Sequence, residues 1–71
     1  MADILTILGE NVRTERIRQG LSQEELADKA GFHRTYIGMI ERAERNITLR
    51  NLERLAEALN VSITDVITPK L

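Results

Sequence analysis

The sequence predicts an all-α protein, a compact five-helix bundle that contains a helix-turn-helix. Helix-forming residues dominate the 71-residue chain, and no long stretch alternates apolar and polar residues as a half-buried strand does. Aromatic residues are limited to Phe32 and Tyr36. Apolar residues at helical spacing are bounded by residues typical of helix ends, with connections of only a few residues, which favours a helical bundle.

The first two helices are delimited by capping residues. Asp3 is a suitable N-cap for the first helix, and Gly20 can close it in the left-handed conformation. Apolar residues follow the 3.6-residue period in this helix at Leu5, Leu8 and Val12, with Ile17 near its end. Ser22 and Glu25 predict the capping box of a second helix, which we expect to run to about Ala30 and stop at Gly31.

Three further helices are predicted. The third is expected from about His33 to about Arg42, and residues 43–47 are loop-like. Thr48 is a plausible cap for the fourth, and Asn60 can end it. The apolar positions of this fourth helix are Leu49, Leu52, Leu55, Ala56 and Leu59. The segment Ser62-Ile63-Thr64-Asp65 can cap a short fifth helix, and Pro69 marks the expected end of ordered structure.

Composition limits the classes of protein that the chain can belong to. Its length predicts a single domain over 1–71, with the helix-turn-helix core at about 22–42 and the C-terminal helices at 48–67. Cysteine is absent, so neither a disulfide nor a thiolate metal site is expected. Because no signal peptide follows Met1 and no apolar segment approaches the ~20 residues that span a bilayer, we expect a cytoplasmic protein that does not contact membranes.

Charge is unevenly distributed although the net charge is only −1. Four arginines lie between residues 33 and 50 against two glutamates, whereas residues 23–30 carry three acidic side chains against one lysine. One end of the molecule is therefore expected to be basic, which favours an anionic partner there. A solvated surface cluster is the alternative.

The most informative segment is QEELADKAGFHRTYIGMIER, residues 23–42. Its spacing predicts two short helices that cross steeply at Ala27 and are joined by a turn in which Gly31 adopts a positive φ. The apolar contacts that fix the crossing are expected from Leu26, Ala30, Phe32, Ile37 and Ile40. The outward face of the third helix is then formed by Arg34, Thr35, Gly38, Met39 and Arg42.

This segment resembles the helix-turn-helix family of the phage Cro and repressor proteins, often called the Xre family. The runs GLSQEELADKAG and NLERLAEALNVSITDVI also match, so that the resemblance extends over about 8–67. Within the family, HRTYIGMIERAERNIT is most similar to the controller proteins of restriction-modification systems. The resemblance implies a lambda repressor-like domain and a transcriptional regulator, either repressor or activator, that binds a palindromic operator in double-stranded DNA as a homodimer.

The resemblance also implies which residues contact DNA bases. Arg34 lies in the first turn of the recognition helix, where its guanidinium can bond guanine O6 and N7 together or bind a phosphate. Thr35 can offer its methyl to thymine or its hydroxyl to a base or a phosphate. His33 stands where many family members carry Ser, Thr or Asp, so it either reaches the DNA or occupies the cap.

Contacts to the DNA backbone are implied for a larger set, namely Gln23, Tyr36, Arg42, Arg45, Asn46 and Thr48. Gln23 begins the second helix, where free backbone amides and a side chain can hold a phosphate. Tyr36 either leans toward the DNA or packs its ring on the first or second helix. The residues from Arg42 onward are alternatively solvated loop residues.

Two further sets are implied to have structural roles. Arg16 and Glu41 are expected to form a buried or half-buried ion pair between the first helix and the end of the third. A dimer interface is expected at Ile63, Val66 and Ile67, with contributions from Leu71, Ile4 and Ile7 considered. The alternative is that the terminal apolar residues close the bundle.

Other functions are less well supported. The chain has one histidine and no cysteine, and it shows neither a nucleophile–base pair nor a glycine-rich phosphate loop. We therefore expect no enzymatic activity, no metal site and no cofactor. Without a second domain, no small-molecule effector is expected. An antitoxin-like protein-interaction module and a phage-type repressor remain alternatives, and the operator, the sign of regulation and the regulated genes stay open.

Overall fold

The computed structural model describes residues 3–70, and these form five α-helices and no strand. The helices are α1 (Ile4–Arg18), α2 (Gln23–Ala30), α3 (Arg34–Glu41), α4 (Leu49–Leu59) and α5 (Ile63–Ile67). The predicted all-α, five-helix fold is confirmed. Met1, Ala2 and Leu71 lie outside the described residues. The expectations for the chain start and for a dimer contact by Leu71 therefore concern residues that the structure does not describe. Within 3–70, no helix combines the length and the apolar character that crossing a membrane requires.

Every helix begins with a side-chain cap, because the first backbone amides of a helix have no intrahelical acceptor. Ser22 and Glu25 form the predicted capping box of α2, with each amide donating over 2.9 Å to the other residue's side chain. Ser62 and Asp65 repeat this arrangement at α5. Amides that donate to these carboxylates lower the pKa values of Glu25 and Asp65.

Left-handed residues end three of the helices where the sequence predicted them. Gly20 follows α1 with a φ of 72°, and Gly31 follows α2 with a φ of 75°. Asn60 ends α4 with a φ of 57°. Ala43, just beyond α3, also has a positive φ of 58°, which the sequence analysis did not predict. A Cβ makes this conformation costly, so the surrounding contacts must hold the turn after α3.

The five helices enclose one apolar core. Helix α1 packs against α3 and α5, while α2 packs against α3 and α4, and α4 also contacts α5. The core cluster consists of Leu8, Val12, Leu26, Ala27, Ile37, Ile40, Leu52, Leu55, Leu59 and Val66. At Gly9 the backbones of α1 and α3 nearly touch, since a Cβ there would lie 2.6 Å from the Ile40 carbonyl oxygen. Only glycine allows this approach.

Asn11 ties the C-terminal helix to α1. Its side chain is buried, and its Nδ2 donates to the carbonyl oxygens of Val66, at 3.0 Å, and Thr68, at 2.8 Å. Carbonyls at a helix end have no intrahelical donor, so this amide satisfies groups that would otherwise be buried without partners. The short helix α5 is therefore held by a specific polar contact as well as by apolar packing.

Four apolar or small residues differ in exposure from what the sequence analysis led us to expect. Leu49 is 81 % exposed because it is the first residue of α4, beyond the part of that helix that packs on the core. Ile17 is likewise exposed near the end of α1. Val66 is 1 % exposed and belongs to the core, so its side chain is not available to a dimer interface. Gly38, expected on the outward face of α3, is buried beneath longer side chains.

Candidate nucleic-acid interface

Helices α2 and α3 form the predicted helix-turn-helix. The turn at Gly31 is closed by the amide of Phe32, which donates to the Ala27 carbonyl oxygen over 2.8 Å. Ala27 itself is 1 % exposed, as expected for a residue at the crossing of the two helices. The buried side chains of Ile37 and Ile40 anchor α3, which leaves its N-terminal turn exposed to solvent.

A shallow groove brings four of the predicted DNA-contact residues together, and it is lined by Gln23, Arg34, Thr35, Gly38 and Arg42. The side chain of Arg34 is 68 % exposed, and Thr35 is exposed beside it. Donor groups from the first turns of two helices thus face the same side of the molecule. An exposed guanidinium at the start of such a helix can reach base edges, because a major groove admits an α-helix.

Because Gly38 has no side chain, side chains from both α2 and the end of α3 can lie over it in this groove. A Cβ at Gly38 would lie 3.0 Å from Arg42 Nη1 and 3.6 Å from Gln23 Oε1. The side chains of Arg42 and Gln23 therefore both lie over the glycine. A larger residue at position 38 would displace Arg42 or Gln23, the two side chains here that are predicted to contact the DNA backbone.

Arg34 has a partner within the protein. Its Nη1 lies 3.3 Å from Glu24 Oε2 on the neighbouring helix α2, and both side chains are about two-thirds exposed. The sequence predicts only a separate acidic cluster in α2, and this contact was not expected. Opposite charges in the first turns of two crossing helices are the signal that could have indicated it.

His33 is the N-cap of α3, since its Nδ1 accepts the amide of Thr35 at 3.2 Å. This is the cap role that the sequence analysis gave as the alternative to a base contact. With Nδ1 used as an acceptor, the imidazole contributes to the orientation of the turn that carries Arg34 and Thr35.

Tyr36 joins the recognition helix to α4 and packs on the residue that follows the turn. Its hydroxyl accepts Asn51 Nδ2 at 3.1 Å, and its ring packs edge-to-face on Phe32 with the centroids 5.0 Å apart. Arg45 lies 5.7 Å over the same ring. The hydroxyl proton of Tyr36 is not used by the Asn51 contact, so it can still be donated to a phosphate.

The segment after α3 supplies the remaining predicted contacts. Arg42 pairs with Glu44 at 3.1 Å, with both side chains more than half exposed. Asn46 and Thr48 are also exposed, and Thr48 Oγ1 accepts the amide of Asn51 as the cap of α4. Arg42 thus lines the groove, and both Arg42 and Arg45 stay exposed.

Arg16 and Glu41 form the ion pair that the resemblance implied. Two bonds of 2.7 and 3.0 Å join the guanidinium to the carboxylate, and the side chains are only 12 % and 3 % exposed. The Glu41 carboxylate raises the pKa of Arg16. Glu41 also accepts Gln23 Nε2 at 3.1 Å, so that the side chain of Gln23 is held at the edge of the groove.

Arg54 is a positioning residue that the sequence analysis did not identify. From α4 it donates to the carbonyl oxygens of Ala30, at 3.0 Å, and Gly31, at 2.8 Å. Its guanidinium carbon lies 4.4 Å over the Phe32 ring. No local pattern signals this contact, because it depends on how α4 packs across the turn.

An apolar surface lies apart from the groove, at the junction of α4 and α5. Leu49 and Ile63 line one shallow depression there, together with Arg50 and Glu53. Leu49 and Ile63 are both exposed. Ile67, which follows Ile63 in the same short helix, is half-buried. Among residues 3–70, no three side chains suited to hold a metal ion come together.

Comparison with known proteins places the chain in a family. A helix-turn-helix family model matches residues 12–66. The control protein C.SmaI from Serratia marcescens is 56 % identical over 66 residues, which cover 93 % of this chain and 79 % of that protein.

Two solved structures are similar in fold as well as in sequence. A hypothetical transcription factor from Neisseria meningitidis is 42 % identical with a TM-score of 0.91, over 94 % of this chain and 77 % of that one. The restriction-modification controller protein C.Esp1396I, solved as a tetramer with its natural 35 base-pair operator, is 37 % identical with a TM-score of 0.81. That match covers 87 % of this chain and 82 % of that one. The chain therefore belongs to the helix-turn-helix family of Xre-like transcriptional regulators.

Proposed function

We propose that this DNA-binding regulator is a homodimer that reads a palindromic operator, with Arg34 and Thr35 of each protomer in the major groove. The observation that carries the proposal is the groove between α2 and α3, where these two exposed side chains lie beside Gln23 and Arg42. An arginine fork on guanine is the commonest specific contact in the major groove. As the N-cap of α3, His33 helps to orient the turn that carries Arg34 and Thr35. A direct base contact by His33 is also part of the proposal.

Phosphate contacts would position the protein on the duplex. Gln23, Tyr36 and Arg42 border the groove, and Arg45, Asn46 and Thr48 follow in the exposed loop. About four phosphates per protomer give a slope near −7 in a plot of log affinity against log salt concentration. Their role is to set the register of the protein on the DNA, because phosphates carry no sequence information.

The surface at α4 and α5 supports dimerisation. One recognition helix reads only a few base pairs, and a two-fold dimer doubles the site by placing half-sites about 34 Å apart. Leu49 and Ile63 are exposed apolar side chains in a shared depression, with Ile67 close to them in sequence. In this proposal Leu49 takes the place that the sequence analysis gave to Val66.

The regulatory class follows from the relatives. C.SmaI is a control protein and C.Esp1396I is a restriction-modification controller, so we assign this chain the same role. It acts in the cytoplasm by occupying the operator, without catalysing a reaction and without a small-molecule effector. Because dimerisation depends on concentration, binding at its own promoter would make its level self-limiting.

Selection from a random duplex library tests the proposal. We expect a palindromic consensus bound by two protomers, with the stoichiometry measured by light scattering of the complex. Leu49→Glu should weaken dimerisation and reduce operator affinity at least tenfold, whereas Thr14→Glu on the exposed side of α1 adds the same single negative charge and is the control. Monomeric binding to a non-palindromic site, or no enrichment at all, would rule out the proposed function.

A further inference from the structure

We propose that Glu24 is a positioning residue for base recognition, which holds the Arg34 guanidinium so that its free edge faces the DNA. The inference rests on the proposed function, because it concerns Arg34, which lines the groove between α2 and α3. It extends that function by assigning part of the specificity to an acidic residue on the helix that does not read bases.

The contact between the two side chains is specific to Glu24. Arg34 Nη1 lies 3.3 Å from Glu24 Oε2, across the crossing of α2 and α3. The other acidic residue in the first turn of α2, Glu25, is committed to the capping box with Ser22. Asp28 lies one turn further along α2 and is exposed, and the structure shows no bond from it to Arg34 among residues 3–70.

The geometry leaves Arg34 able to bind a base. A guanidinium has five N–H donors, and the Glu24 contact uses one nitrogen on a single edge. The opposite edge stays free for the two acceptors of guanine. Because a long side chain loses rotamer freedom when it binds, holding the guanidinium in advance reduces the entropy lost on the DNA.

The carboxylate of Glu24 lies at a place where a negative charge is unfavourable for DNA binding, and a positioning role would explain it. An anionic side chain beside a DNA-facing groove repels phosphates, and in the free protein an ion pair this exposed contributes little to stability. When DNA excludes water from the groove, the same pair becomes stronger, because the effective dielectric constant falls. The contribution of Glu24 is therefore expected in the complex rather than in the fold.

A double-mutant cycle on base preference tests the inference. The proteins are the wild type, Glu24→Ala, Arg34→Ala and the double variant, with Asp28→Ala as the matched loss of charge from α2. The affinity of each for the selected operator is measured against operators changed at the base pair whose preference Arg34→Ala abolishes. Glu24→Ala should reduce that preference about threefold to tenfold, and it should have no further effect when Arg34 is already alanine.

The control separates positioning from simple charge. Asp28→Ala should increase binding to unrelated DNA as Glu24→Ala does, but leave the base preference unchanged. Equal preferences in Glu24→Ala and the wild type would overturn the inference, and so would a change at a base pair that Arg34 does not read. If the wild type itself selects no site, the proposed function fails first, and that outcome is distinct from a wild type that selects normally while Glu24→Ala has no effect.

Discussion

Arg54 of α4 lies 4.4 Å over the ring of Phe32, the residue that follows the turn of the helix-turn-helix. The same guanidinium donates to the carbonyl oxygens of Ala30 and Gly31, at the end of α2 and in the turn. Phe32 in turn packs against Tyr36 of α3. A single side chain from outside the motif thus holds the end of α2 and the turn, and it contacts α3 only through Phe32. We therefore expect the angle between α2 and α3 to depend on α4.

Arg54→Ala should therefore weaken DNA binding without removing a DNA contact. It eliminates a cation–π contact and two hydrogen bonds to carbonyls, and we expect a loss of about 1–2 kcal/mol in the free energy of unfolding. Urea unfolding measures this loss, and operator affinity at fixed salt measures its effect on binding. Arg13→Ala, an exposed arginine on α1, is the control and should change stability by less than about 0.5 kcal/mol. Equal stability of the two variants would contradict the role of Arg54.

The ion pair of Arg16 and Glu41 provides a second prediction about stability. Glu41→Ala leaves the guanidinium of Arg16 without its charged partner in a site where it is only 12 % exposed. We expect a loss of about 3–5 kcal/mol, measured by denaturant unfolding. Replacing both residues with apolar ones, as in Arg16→Met with Glu41→Leu, should cost less than either Arg16→Met or Glu41→Leu alone. If each single variant stays as stable as the wild type, the pair is not part of what holds α1 to α3.

Gly9 and Gly20 are expected to respond to alanine for different reasons. In Gly9→Ala the new Cβ meets the Ile40 carbonyl oxygen at 2.6 Å, so α1 and α3 must separate, at a cost of about 1–3 kcal/mol. Gly20→Ala meets no neighbouring atom within 4 Å but retains a φ of 72°, which costs about 1 kcal/mol through backbone strain alone. Thermal unfolding of both variants gives the comparison. A Gly9→Ala protein with the melting temperature of the wild type would show that the close approach is not required.

The capping boxes predict a dependence of stability on pH. Amides of the N-cap residues lower the pKa values of Glu25 and Asp65 in the folded protein below their ordinary values. Their contribution is therefore fully present above about pH 5 and is lost as the pH falls through the lowered values. Unfolding measured from pH 6 to pH 2.5 should show a smaller decline for Glu25→Gln than for the wild type. Glu57→Gln, which belongs to neither capping box, should follow the wild type; a Glu25→Gln curve parallel to the wild type would contradict the assignment.

Local features of this fold were predictable from the residues themselves, whereas the long-range Arg16–Glu41 pair was expected only through the family resemblance. The caps at Ser22, Thr48 and Ser62 and the left-handed ends at Gly31 and Asn60 depend on a few neighbouring residues, and the structure has them where they were predicted. Helical periodicity also identified core residues in the first four helices. It failed at Ile17 and Leu49, because periodicity does not show where a helix stops contacting its neighbours.

For the candidate site, too, local features were predictable from sequence and contacts from other helices were not. The exposure of Arg34 and Thr35 followed from the apolar spacing of α3, since the opposite face had to be buried. Contacts from Glu24, Asn51 and Arg54 depend on how other helices cross the motif, and residue spacing along the chain does not record that. Val66 was assigned to the wrong surface for a related reason, because Asn11 and α1 cover the face of α5 that carries it.

The central claim is that Arg34 reads a base, and base-resolved affinity tests it most directly. The wild type and Arg34→Ala should be measured against the selected operator and all of its single base-pair variants at one salt concentration. Loss of preference at one base pair in each half-site, with the other preferences retained, is the result we expect. A uniform loss of affinity across all variants, with every preference intact, would show that Arg34 contacts phosphate instead and would contradict the account.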